Sequence, residues 1–231
     1  MSQTDSFIEE VTEEVRRDRL FALMRRYGWI AILAVLLLVG GAAWNEWRKA
    51  QNERAAQQTG DAMIAALQAD APEARADALA SLDPESPGAQ AVAALLAAGE
   101  QVDAGAHDAA IDGLKAVSER SDLPLVYRQV ALFKLLAVQG RNLSPEERRE
   151  GYASLIGPGS QLRLLAEEQL ALIDVETGET GAAVERLQAI AQDDGATAGL
   201  RRRATQLIVA LGAEPETPVR VNGAASATNG G

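Results

Sequence analysis

The feature that most constrains this chain is an apolar run, Tyr27-Gly-Trp-Ile-Ala-Ile-Leu-Ala-Val-Leu-Leu-Leu-Val-Gly-Gly-Ala-Ala-Trp44, with no charged side chain. A helix of this composition is apolar on every face, so it must be covered all round, by protein or by lipid. At about 1.5 Å per residue, the run with its edges out to Trp47 reaches across the roughly 30 Å of a bilayer's hydrocarbon core. Tyr27 and Trp29 stand at one edge, Trp44 and Trp47 at the other. Aromatic rings with a polar tip favour that headgroup level. Four of the chain's six Trp and Tyr residues are spent on these two edges, which predicts a transmembrane helix over 27–47.

Arg16, Arg17, Arg19, Arg25 and Arg26 precede the run; Arg48, Lys49 and Arg54 follow it. That bias predicts a cytoplasmic N-terminus and places everything after Trp47 outside the inner membrane. The competing reading is a cleaved signal peptide, since Gly40-Gly41-Ala42-Ala43 offers small residues near the end. Against it, a signal n-region is short and basic, whereas residues 1–26 are long and mix five Arg with six Asp and Glu. Within them Phe7, Ile8, Val11, Val15, Leu20, Phe21, Leu23 and Met24 recur at helical spacing. This suits a helix on the inner leaflet or a docking helix for a membrane complex.

The formal net charge is −11, and nearly all of the acidic excess lies beyond the run. Such a surface repels nucleic acid, and no nucleic-acid partner is expected. Aromatic residues are only 4% of a chain that is 47% hydrophobic. Alanine and leucine therefore dominate the apolar content, which favours closely packed helices over strands. The absence of cysteine excludes disulfides and thiolate chemistry.

Beyond the membrane, residues 45–67 are predicted to continue the helix as a stalk, followed by a proline-led helix from Pro72 to Leu82. After the break at Asp83-Pro84-Glu85-Ser86-Pro87, helices are predicted over 88–103, 107–119, 124–139, 145–155, 160–177, 180–192 and 197–211. Gly105 and Gly140 follow apolar runs and suit C-terminal caps. Ser144-Pro145-Glu146-Glu147 is a helix start with a capping-box acid. The domain plan is a cytoplasmic segment 1–26, the span 27–47, stalk and first helices 48–86, a repeat domain 87–212 and a disordered tail 213–231.

Two of the segments match each other. Gly105, Ala109, Ala110, Leu114 and Ala116 align with Gly178, Ala182, Ala183, Leu187 and Ala189, all at one offset of 73 residues. This is close to two units of the roughly 34-residue tetratricopeptide period. The fold class is accordingly all-α: one N-terminal transmembrane helix, then a tetratricopeptide-like solenoid of helix pairs.

Taken together, the span Gly28 to Trp47, the polar stalk Arg48 to Met63, the turn and helix Gly105 to Leu114, and the helix-turn-helix Leu170 to Leu187 resemble the bacterial ancillary Sec translocon subunit family (YfgM-like). The resemblance covers about residues 20–211, and the acidic N-terminal segment and the tail depart from the family pattern. It implies a periplasmic protein-binding module on the inner membrane, with Sec translocon subunits and periplasmic chaperones or clients as partners. The alternative is a scaffold subunit of another inner-membrane or cell-division complex.

Catalytic patterns are missing: no Gly-x-Ser-x-Gly elbow, no phosphate loop with its lysine, no His-Glu-x-x-His helix. Gly157-Pro-Gly-Ser160 is expected to be a turn capped by Ser160, Asp193-Asp194-Gly195 a helix-ending turn rather than a cation site, and His107 a solvated or capping residue. Glu146-Glu147 and Glu167-Glu168 are expected to be solvated. No enzyme activity, cofactor, metal or catalytic residue is expected. On the 124–139 helix, Val126, Val130, Phe133 and Ala137 are the expected buried stripe. Tyr127, Arg128 and Lys134 are left as candidates for a protein-binding groove.

Overall fold

The computed structural model describes residues 4–215, with the side chains of residues 4–24, 27, 28, 31 and 32 outside that description. The amphipathic face of residues 1–26 and most of the predicted tail therefore lie outside the described residues. Among the described residues there are helices and no strand.

Helix α1, Thr4–Ala66, runs for 63 residues. No proline occurs before Pro72 to interrupt it, so the apolar run and the predicted stalk are one continuous helix. The chain divides into two compact units, residues up to Gly60 and residues from Asp61 onward. In the first, every described side chain from Leu33 to Lys49 is exposed.

The second unit holds the last turn of α1 and eight further α-helices: α2 (Pro72–Ala80), α3 (Pro87–Asp103), α4 (His107–Glu119), α5 (Leu125–Gln139), α6 (Pro145–Ala153), α7 (Arg163–Glu176), α8 (Thr180–Gln192) and α9 (Ala198–Ala210). From α2 onward each helix packs on the next in the chain, and α3 also meets α5. This neighbour-to-neighbour packing defines a solenoid. Its interior is a succession of small cores rather than one. Met63, Ala66, Leu79, Ala93 and Ala97 form the first; Ala171, Leu187, Ile190, Leu200, Ala204 and Ile208 belong to the last. Fully buried alanines at 91, 110, 131, 166, 171, 183 and 204 let helix axes approach closely, which is why so few aromatics suffice.

The 73-residue offset holds in three dimensions and reaches further than the sequence match. Helices α4 and α8 are both 13 residues long and begin one offset apart, as do α5 and α9. Gly105 and Gly178 both take the left-handed conformation, with φ of 76° and 82°. In each turn the N–H three residues past the helix end reaches back, Ala106 to the Gln101 carbonyl at 2.8 Å and Glu179 to that of Asp174 at 2.7 Å. A side chain in this region costs about 1–2 kcal/mol, so Gly105→Ala or Gly178→Ala should each lower the unfolding free energy by about that amount in urea titrations.

Ser144 and Glu147 form the expected capping box: the Glu147 N–H donates to Ser144 Oγ, and the Ser144 N–H and hydroxyl donate to Glu147 Oε2 at 2.8 Å each. These bonds hold the Glu147 carboxyl below its ordinary range, the Ser144 hydroxyl contributing most. The folded pKa is depressed, so the stabilisation is complete above the ordinary glutamate value and fades as pH falls through the lowered one. A carbon-detected NMR titration should place the Glu147 midpoint below those of the solvated glutamates, and Ser144→Ala should return it to theirs.

Two expectations need correction. Helix α7 begins at Arg163, not 160, because Ser160 accepts the Leu162 N–H at 3.2 Å in a tight turn and caps no helix. On α5 the buried stripe is Ala131, Leu135 and Leu136. Val126 and Ala137 are exposed and Val130 and Phe133 only partly covered. The helix is flanked by α4 on one side and α6 on the other, so a single 3.6-residue stripe assigned from the sequence misplaced its inward face by part of a turn.

Candidate protein-binding surface and its ion-pair frame

Of the groove residues proposed from the sequence, Tyr127 and Arg128 are half-buried and Lys134 is exposed. Tyr127 is half-buried and packs with Ala91, Val117, Leu123 and Ala131. A methyl group on Gly88 would already lie 3.4 Å from its hydroxyl. Tyr127 therefore belongs to the core between α3 and α5. Arg128 is half-buried, and its Nε is shielded from solvent with no hydrogen-bond partner. Lys134 is exposed and remains available to a partner. His107 is the exposed first residue of α4.

What the sequence did not signal is a frame of ion pairs across the C-terminal half. Asp174, on α7, has no solvent exposure. It accepts from Arg149 of α6 and, at 3.0 Å, from Arg186 of α8. Arg186 also donates to Glu167 at 2.7 Å. Glu168, only 6% exposed, receives both arms of Arg203 from α9 at 2.8 Å. Arg148 reaches Glu176 at 2.8 Å. The expectation that Glu167-Glu168 is a solvated pair is overturned: both point at arginines of the neighbouring helices. A planar guanidinium meeting a carboxylate with two bonds fixes direction as well as distance, so α7 sets the register of α6, α8 and α9.

One polar clasp recurs in both halves. Arg120 donates to Gln90 Oε1 at 3.0 Å, and at the positions one offset later Arg163 donates to Asp193 Oδ2 at 2.7 Å. The donor has changed helix while the geometry persists. Asp193 also accepts the Gly195 N–H at 2.8 Å, and Arg163 followed by that N–H holds its carboxyl below the ordinary aspartate range. Asp193-Asp194-Gly195 is thus a helix-ending turn, and no cluster of metal-ligating side chains occurs among the described residues.

On the first unit, Trp29, Trp44 and Trp47 are 63%, 61% and 54% exposed, and the rings of Trp44 and Trp47 lie 5.3 Å apart. Tyr27 lies outside the described side chains. Among the described residues no helix is long and apolar enough to cross a membrane. The described side chains of the run are continuous only from Leu33, and charged residues begin at Glu46.

Helix pairs joined by glycine turns, each packing only on its neighbours, define an α-helical repeat protein. A family model described as a tetratricopeptide repeat-like domain matches residues 24–147, more than half of the chain, and the chain belongs to that family. Domains of this family generally bind other proteins. The helix pairs continue beyond the matched residues, through α7, α8 and α9. No curated protein and no solved structure matches the chain.

Proposed function

We propose that this protein is a membrane-anchored protein-binding module rather than an enzyme, with its repeat unit on the periplasmic side of a bacterial inner membrane. The observation that carries the anchor is the uncharged run ending at Trp44, whose described side chains from Leu33 onward are all exposed. Leu36, Leu37 and Leu38 are 63%, 69% and 74% exposed. Apolar surface of this extent needs a cover, and a uniform apolar girdle with aromatic edges matches lipid better than any one protein face. The arginine excess before the run supports a cytoplasmic N-terminus.

Membership in a repeat family supports protein binding, and the resemblance to the ancillary Sec translocon subunits (YfgM-like) supports a place beside the translocon, receiving emerging or incompletely folded proteins. A photo-crosslinking amino acid at Lys134, irradiated in intact cells, tests this reading. Translocon subunits or envelope chaperones are the expected products. Recovery of neither, with the protein present in the membrane fraction, would count decisively against it.

A further inference from the structure

The two halves of the repeat unit differ at one place where the offset makes them comparable. In the C-terminal half, Arg186 crosses between α7 and α8 to bond Glu167 and Asp174, and the open hollow of about 360 Å³ beside it has charged walls. One offset earlier these three positions are Gly113, Ala94 and Gln101. No side chain replaces the arginine, and a methyl built on Gly113 would meet no atom within 4 Å. What remains is an open crevice of about 260 Å³. Leu79, Leu82, Pro84, Ala93, Ala97 and Gly113 supply most of its wall, and no charged side chain lines it.

The surroundings are mainly acidic, and Arg120, which holds the wall residue Gln90, is itself paired with Asp122 at 2.6 Å. Exposed Asp83 lies between the wall residues Leu82 and Pro84, Glu85 follows Pro84, and exposed Asp112 precedes Gly113. Residues 70–85 hold five acidic side chains and one basic one, Arg75. That arginine is already engaged by Glu100 at 2.6 Å.

Resting on the protein-binding reading above, we infer that this crevice takes one leucine-sized apolar side chain from a partner segment flanked by lysine or arginine. The apolar wall supplies the attraction for the inserted side chain, and the acidic rim selects the flanks. In the second repeat the corresponding hollow has charged walls, Arg163, Glu167, Glu185, Arg186 and Asp193, so of the two the crevice of the first repeat is the one that suits an apolar side chain.

The test uses the full-length chain in non-ionic detergent and a fluorescein-labelled octapeptide with two central leucines between lysines and arginines, followed by fluorescence anisotropy. Serine in place of both leucines, or glutamate in place of the basic flanks, should each weaken binding about tenfold or more. Gly113→Arg should do the same, whereas Gly181→Arg adds the same charge where a side chain also meets open space and should leave binding unchanged. Should Gly113→Arg unfold, as judged by circular dichroism, the pair Ala94→Glu with Gly113→Arg rebuilds the contact of the second repeat and is the variant to use. Undetectable binding of the leucine peptide, equal binding of the serine peptide, or equal binding by the filled-crevice variant overturns the inference. Partners crosslinked through Lys134 would still stand in that event, so failure here is separable from failure of the broader reading.

Discussion

Replacing Leu36 and Leu38 together by arginine is expected to release the chain from carbonate-washed membranes, while Ala42→Leu leaves it fully membrane-bound. Both leucines lie near the middle of the 27–47 run. An arginine at the centre of a spanning helix costs about 2.5–3.5 kcal/mol on the insertion scale. Two of them close together, on different faces of the helix, outweigh the gain from the two leucines that remain, Leu33 and Leu37. Both side chains are more than 60% exposed, so neither substitution disturbs packing within the described protein, and the repeat unit should keep its helical content. Protease added to spheroplasts containing the unaltered chain should digest the part after Trp47 and spare a short N-terminal fragment. A soluble product beginning near Trp44 would instead identify the run as a cleaved signal peptide, and a protected repeat unit would reverse the orientation.

The second large effect is expected at Asp174. Its carboxylate is completely buried and is the common acceptor for Arg149 and Arg186. Removing one partner of a buried ion pair costs about 3–5 kcal/mol, because the remaining charge loses both solvent and partner. Both arginines here are about one-third exposed, 33% and 35%, and recover some hydration, so Asp174→Ala should cost about 3 kcal/mol, near the lower bound. Gln101→Ala, one offset earlier, removes no charge partner and should cost less than about 1 kcal/mol. Chemical unfolding of the full chain in detergent measures both. If the losses are equal, the ion-pair frame does not hold α7 in register. Replacing Arg149 and Arg186 by leucine together with Asp174→Leu and Glu167→Gln should recover part of the loss, since both carboxylates that Arg186 pairs are removed with it.

The ion-pair frame also explains why the two halves could diverge while keeping one geometry. Glu168 and Arg203 stand where the first half has Leu95 and Val130. The second half joins these positions through paired charge, where the first half carries two apolar side chains. A sequence comparison that scores similarity at these positions finds none, which is why the match between the halves looked confined to Gly105–Ala116 and Gly178–Ala189.

The sequence alone determined the helical character of the chain, the start and end of most helices after Pro72, and the repeat offset. These are local properties: proline in the first turn at Pro72, Pro87 and Pro145, the capping box at Ser144, and glycine where φ is positive at 105 and 178. Each acts over four or five residues and is visible wherever the residues are adjacent in the chain. The tertiary structure alone decided which face of α5 turns inward, that Tyr127 belongs to a core, that Glu168 and Asp174 are buried, and that the space beside Gly113 stays open. All of these depend on partners 12 to 40 residues away, as with Arg203 meeting Glu168 and Arg186 meeting Asp174. A carboxylate and a guanidinium on separate helices look in sequence like two solvated charges. Only the packing of α6, α8 and α9 around α7 removes the water that would otherwise satisfy them, and that exclusion turns ordinary surface residues into the frame of the repeat.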